Sequence, residues 1–287
     1  MEDTIKQNVV EIDRRNNLPY EDFKRDYLYP HKPVVLTGAL DEWAAMTKWT
    51  PDYFKKKYGS MKLTIDGKDY SMADFIDLVN SSTDEKPAPY LRNAIIDRFL
   101  PELLPDIQPL PSYFSPNWLT GPLSQLLRSR LHDGSQELYI GGKGGKFPFL
   151  HFDSYHTHAF ISQIYGTKEF TIFTTDQTPY IYVRPNQYNA SQIPDLEKPD
   201  YQKFPLFAQA KPMLFKLEPG ETLFVPGGVW HTAKMLSPSI SVSVNRANAS
   251  NWSSLTRDMY TKAPLPMKPV AAVYLTGMRM VRSLRGS

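Results

Sequence analysis

From Glu137 onward the chain breaks into short apolar or alternating runs, divided by Gly, Pro and Asp, at 137–141, 147–153, 158–165, 168–174, 213–217, 222–225, 230–236 and 239–246. Runs of this length bounded by turn residues are the mark of an antiparallel sandwich or barrel. Eight of them suit a double-sheet jelly roll, so the expected class is mainly β with flanking helices. In the clearest run, Ile240, Val242 and Val244 alternate with Ser239, Ser241, Ser243 and Asn245. Side chains alternate across a strand, so one face is oily and the other polar. The polar face either meets solvent or lines a wet cavity, and the pattern alone favours solvent. Residues 176–212 interrupt the strands with a Pro-, Tyr- and Asn-rich insertion, and segments of that length are functional lids or disordered stretches.

The first 130 residues read as a helical and hairpin layer packed around this core. Thr50 as N-cap, Pro51 at the first helical position and Gly59 as terminator frame one helix. Asp66-Gly67 joins Met61–Ile65 to Lys68–Met72 as a tight hairpin, because this pair accepts positive φ angles. A second helix starts at Ser71, with Asp74 completing a capping box. The chain thus divides into 1–130, a core at 131–250 carrying the insertion, and a helical tail at 251–287. In that tail Val270, Val273, Tyr274, Met278, Val281 and Leu284 recur at helical spacing behind Pro269. Such a stripe docks on its own core or forms a homodimer seam.

Composition narrows the chemistry. Hydrophobic residues at 41% and charged residues at 22% belong to a globular chain. No apolar run approaches the ~18 residues of a spanning helix, and the N-terminus lacks the pattern of a signal peptide. A cytosolic or nuclear protein without a membrane role is expected. There is no cysteine, which excludes disulfides, thiolate zinc sites and cysteine nucleophiles, so any metal must be held by His and carboxylate. The net charge of +3 comes from residues 257–287, read as a solvated helix face rather than a nucleic-acid surface.

His151-Phe152-Asp153 falls at the end of an expected strand, and His231 follows 78 residues after Asp153 in Pro226-Gly227-Gly228-Val229-Trp230-His231. Two imidazoles and one carboxylate form the facial set that holds non-haem Fe(II) with open positions for reactants. A bare His-x-Asp is common. Here flanking strands, a Pro-Gly-Gly turn before the second His, and Gly166-Thr167-Lys168 opening the next strand make the pattern specific.

These residues resemble the Jumonji-C family of 2-oxoglutarate oxygenases over roughly 130–250, and Val34–Gly38, Asn117-Trp118-Leu119 and Leu138–Gly141 look like its single-domain hydroxylase branch. The resemblance implies a double-stranded β-helix, Fe(II) on His151, Asp153 and His231, and 2-oxoglutarate and O₂ as co-substrates. It also implies Lys168 as the anchor of the distal carboxylate, a task suited to a compact ammonium. Ser243 and Asn245 match polar positions on the strand after the second His, which turns the polar stripe inward. Tyr139 resembles a tyrosine that assists the distal carboxylate, and Thr157 takes a neighbouring cavity position. The 17-residue spacing from His151 to Lys168 suits the branch that includes protein lysyl hydroxylases.

The sequence departs from the pattern at Glu221, where Pro-Gly-Asp is usual, and at Pro148, where a hydroxyl residue is usual. His156 and His158 are read as supporting residues, with substrate contact as the alternative. The implied activity is hydroxylation of a protein or peptide side chain. Hydroxylation of a free amino acid or natural product, N-methyl demethylation, and a non-catalytic cupin-like binding protein are the alternatives.

Overall fold

The structure is a computed structural model and describes residues 8–119 and 135–269, together with 272, 273, 276, 277, 279 and 280. Its strands are β1 (Asp13–Asn16), β2 (Val34–Thr37), β3 (Lys62–Ile65), β4 (Lys68–Ser71), β5 (Leu91–Ile95), β6 (Gln136–Gly141) and β7 (His158–Tyr165). They continue as β8 (Lys168–Phe173), β9 (Val183–Arg184), β10 (Gln187–Ser191), β11 (Met213–Leu217), β12 (Thr222–Val225), β13 (Trp230–Met235) and β14 (Ser239–Arg246). A major sheet runs β1-β2-β12-β7-β14-β6-β5, and a smaller one runs β11-β8-β13. Every neighbour in both is antiparallel except β1 and β2, which run parallel. The result is a mainly β protein with flanking helices.

The N-terminal layer forms as its local signals predict. Thr50 Oγ1 accepts from the Tyr53 N–H at 3.1 Å to start helix α1 (Pro51–Tyr58). Ser71 Oγ caps helix α2 (Met72–Asn80) by accepting from the Asp74 N–H at 3.1 Å. Asp66 and Gly67 take φ of 48° and 78°, which closes the β3-β4 hairpin. This layer also feeds the major sheet, since β1, β2 and β5 all come from it.

Packing decides which way β14 faces. Ile240, Val242 and Val244 are fully buried against the outer layer, in one cluster with Phe23, Trp49, Phe54 and Phe75. Each such side chain contributes roughly 1.5–3 kcal/mol on burial. A one-residue slip would turn the whole oily row away from that layer, so the register is strongly specified. Ser241 and Ser243 therefore point the other way, between the sheets, and are buried as well. The preference for solvent drawn from the strand pattern alone is corrected, and the inward-facing stripe that the resemblance implied is the one found. On the same inner face Val35, Leu223 and Val225 of the major sheet pack against Phe170, Ile172 and Leu217 of the smaller one. The space between the sheets is thus dry at one end and polar at the other.

The expected strand 147–153 does not form as a ladder. Pro148 has no N–H to donate, and the segment meets β13 only through bridges at Lys146 and His151. The insertion is ordered by its own hairpin, β9-β10. The tail opens with helix α3 (Trp252–Lys262). The expected helix 269–284 lies largely outside the described residues. Of its stripe, Val273 is helical and exposed. Among the described residues, no helix is long and apolar enough to cross a membrane.

Candidate metal centre

His151 and His231 sit on facing segments joined by two backbone hydrogen bonds, His151 N to His231 O at 3.1 Å and His231 N to His151 O at 2.6 Å. The imidazole centroids are 4.4 Å apart. Asp153 lies two residues beyond His151, and ligand atoms from all three residues fall within 4.8 Å of one another. The other side of this segment is held by the insertion. Phe152 N donates to Asn189 O at 3.2 Å, and Asn189 Nδ2 returns a bond to Phe152 O at 2.8 Å. The convergence expected of a continuous strand is therefore achieved by a segment clamped between β13 and β10.

Protonation and orientation suit a metal. His151 Nδ1 lies 3.2 Å from Phe149 O, and His231 Nδ1 lies 3.1 Å from Val229 O. A carbonyl only accepts, so each Nδ1 carries a hydrogen, which leaves Nε2 as the nitrogen a metal would take. Burial, then the neighbouring His231, hold the His151 imidazole well below the usual histidine range, so it is neutral. Phe147 stacks on His151 at 4.1 Å with 13° between planes, which fixes the ring. The three residues form a cluster able to hold a metal ion.

They stand at one wall of a cavity of about 260 Å³ whose lining also includes Lys168, Tyr139, Thr157, Ser243 and Asn245. All the expected site residues are thus brought together. Lys168, 2% exposed, directs Nζ at Ser241 Oγ (2.6 Å) and Tyr90 Oη (3.4 Å), and lies over the Tyr90 and Tyr139 rings. Burial alone pushes its ammonium down to about 7. The Tyr139 hydroxyl donates to Glu137 Oε2 at 2.8 Å. Thr157 Oγ1 bonds Ser154 O at 3.3 Å and faces the cavity.

Sequence reasoning missed Tyr90, Glu137 and Ser241. Ser241 was findable, because it shares the polar face of Ser243. Tyr90 follows a polar connection and carries no motif. His156 and His158, read from the sequence as supporting residues, both bond to groups of the chain itself. His158 is fully buried; its Nδ1 accepts from Gly227 N at 3.0 Å, and Nε2 faces Ser250 Oγ at 2.8 Å. Burial and then His31 push its imidazole down to about 3, so it stays neutral and pins the turn before His231. That turn passes so close that a Cβ on Gly227 would lie 2.1 Å from His156 O. His156 bonds Asp258 on α3, with Nδ1 2.9 Å from Oδ2.

Residues 20–247 match the family model described as a cupin-like domain. The chain belongs to the cupin-like domain family. Several Jumonji-C proteins are similar to this cupin-like chain at low identity. Lysine-specific demethylase 8 of Xenopus tropicalis is 30% identical over 238 residues, covering 78% of this chain and 50% of the relative. Lysine-specific demethylase JMJ21 of Arabidopsis thaliana is 28% identical over 260 residues, covering 86% and 26%. The bifunctional arginine demethylase and lysyl-hydroxylase psr-1 of Caenorhabditis elegans is 24% identical over 254 residues, covering 82% and 60%. The cupin-like chain therefore spans about a quarter to three-fifths of the length of these relatives.

Proposed function

We propose that this protein is an Fe(II)- and 2-oxoglutarate-dependent oxygenase that hydroxylates a protein or peptide side chain, built on a double-stranded β-helix. One observation carries the reading: two imidazoles and a carboxylate converge on a cavity that also buries a lysine ammonium. His151, Asp153 and His231 would hold the ion, through Nε2 of each imidazole and one carboxylate oxygen. Lys168, with Ser241 and Tyr90 beside its Nζ, would hold the distal carboxylate of 2-oxoglutarate. A cation buried this deeply needs an anion, and the acid that this co-substrate carries is the matching one.

When bound, the ion and 2-oxoglutarate supply O₂ activation and the oxidising power for C–H hydroxylation, with succinate and CO₂ as co-products. The chain's residues do the rest. Phe147 and Phe149 fix the His151 ring. Ser243, Asn245 and Thr157 give the inner wall its polar groups. Tyr155, Gln187 and Asn189 also border the cavity, so the insertion contributes to the wall that a substrate side chain would pass. Protein substrates agree with the names of the relatives, which include lysine- and arginine-specific demethylases.

The test is succinate formation from 2-oxoglutarate, dependent on Fe(II) and on added peptide, followed by mass spectrometry of the peptide. Gain of one oxygen supports hydroxylation, and loss of a methyl group replaces it with demethylation. Absence of Fe(II)-dependent succinate with any peptide or amino acid leaves a cupin-like binding protein. Asp153→Ala should abolish turnover while the far-ultraviolet circular dichroism stays unchanged, because it removes the only anionic ligand of the set.

A further inference from the structure

The backbone just after Asp153 takes an unusual course. Tyr155 and His156 have φ of 60° and 52°, and among the described residues no other two consecutive non-glycine residues share this left-handed region. Such backbone persists only where its surroundings over-determine it. The surroundings here come from two distant parts of the chain. Tyr155 N donates to the Tyr188 hydroxyl at 3.1 Å, and that hydroxyl donates to Asp258 Oδ2 at 2.7 Å. The same Oδ2 lies 2.9 Å from His156 Nδ1. Asn251 Nδ2 donates to His156 O at 2.9 Å. Lys262 Nζ donates to the Tyr188 hydroxyl at 2.6 Å and stands 3.8 Å over that ring.

Tyr188 belongs to the insertion strand β10, whereas Asp258 and Lys262 belong to α3, beyond the end of the cupin-like match at residue 247. The insertion and the tail thus meet at one carboxylate, placed over the turn between the candidate ligand Asp153 and the cavity-wall residue Tyr155. A helix held to the core by packing alone has no use for a carboxylate in this place. Its side chain is only 13% exposed and is shared between two donors.

We propose that Asp258 is a positioning residue for the metal centre. Through His156 and Tyr188 it holds Tyr155 and His156 in their left-handed course, which keeps the Asp153 carboxylate turned to the two imidazoles and Tyr155 on the cavity wall. The proposal rests on the metal-centre reading above. It makes α3 part of the working site rather than an appendage.

The experiment uses the full chain and Mn(II) as an air-stable probe, with affinity from calorimetry and amide hydrogen exchange over residues 153–157 measured without metal. Asp258→Ala should weaken Mn(II) binding about tenfold or more, the usual cost of losing a group that supports a ligand, and should speed exchange at Tyr155 and His156. Tyr188→Phe, which loses one hydroxyl, should act in the same direction and serves if Asp258→Ala does not fold. Arg257→Ala, on the exposed side of the same helix, should change neither quantity. A lower melting temperature in Asp258→Ala with wild-type Mn(II) affinity and exchange would reduce Asp258 to a structural role and overturn the proposal alone. Mn(II) binding that is equally absent from the wild type and from Asp153→Ala would overturn the metal-centre reading and the proposal together.

Discussion

At the scale of single residues, Lys168 is the side chain with most to gain from a ligand. Burial lowers its ammonium to about 7 from an ordinary 10.5. The unfolded chain keeps that proton up to about 10.5 while the folded chain releases it near 7, so unfolded chains bind more protons across this window. The Lys168 contribution to stability therefore rises with pH between about 7 and 10.5, and its full penalty is present below 7. A dicarboxylate that needs the ammonium shows the reverse trend. The affinity for 2-oxoglutarate should fall as pH is raised above 7, and calorimetric titration of the wild type against Lys168→Ala checks it. The variant should bind more weakly and lose the trend; a variant with wild-type affinity would sink the anchor role. At this scale the sequence was legible where a motif spaced the residues, as in His151, Asp153, His231 and Lys168. It was silent where a contact is purely tertiary. Tyr90 and Asp258 approach Lys168 and His156 from 78 and 102 residues away, and no local pattern records that approach.

Among elements, local rules held where they acted alone and failed where two of them competed. Both helix caps and the Asp66-Gly67 turn appear as their residues require. Thr50→Ala should cost about 1 kcal/mol in urea unfolding, the usual loss for an N-cap, with Fe(II) binding unchanged because α1 lies in the outer layer. A loss below 0.3 kcal/mol, approximately the error of such a measurement, would mean that α1 is held by packing through Phe54 and Tyr58 rather than by its cap. The segment 147–153 shows the competition. Its apolar alternation asks for a strand, Pro148 forbids the ladder, and the outcome is a clamped segment with bridges at either end. β14 shows a different limit. Alternation told which residues share a face but not which way that face points; the inward direction came from the resemblance, and the layer packed on the oily side is its physical cause.

At the scale of the whole molecule, the described part of the tail carries exposed apolar side chains. Leu265 and Val273 are 81% and 76% exposed in a single copy. Light scattering on the full chain and on a truncation ending at Lys268 should show a dimer that the truncation dissolves if the apolar stripe pairs between copies. A full chain that is monomeric at micromolar concentration would rule out that seam.

The pair of backbone hydrogen bonds between His151 and His231 has a consequence for metal choice. Because the two histidines are backbone partners paired by two reciprocal hydrogen bonds, the fold sets their separation, which leaves little rearrangement on metal binding that could favour one element over another. A preformed set of two nitrogens and one carboxylate binds the first-row divalent ions in their intrinsic order, in which iron stands below cobalt, nickel, copper and zinc. Zn(II) or Ni(II) should therefore displace Fe(II) in competition and inhibit any oxygenase activity, a result that elemental analysis of protein equilibrated with equal concentrations of the ions would read directly. Discrimination among metals would then fall to the supply of metals around the chain.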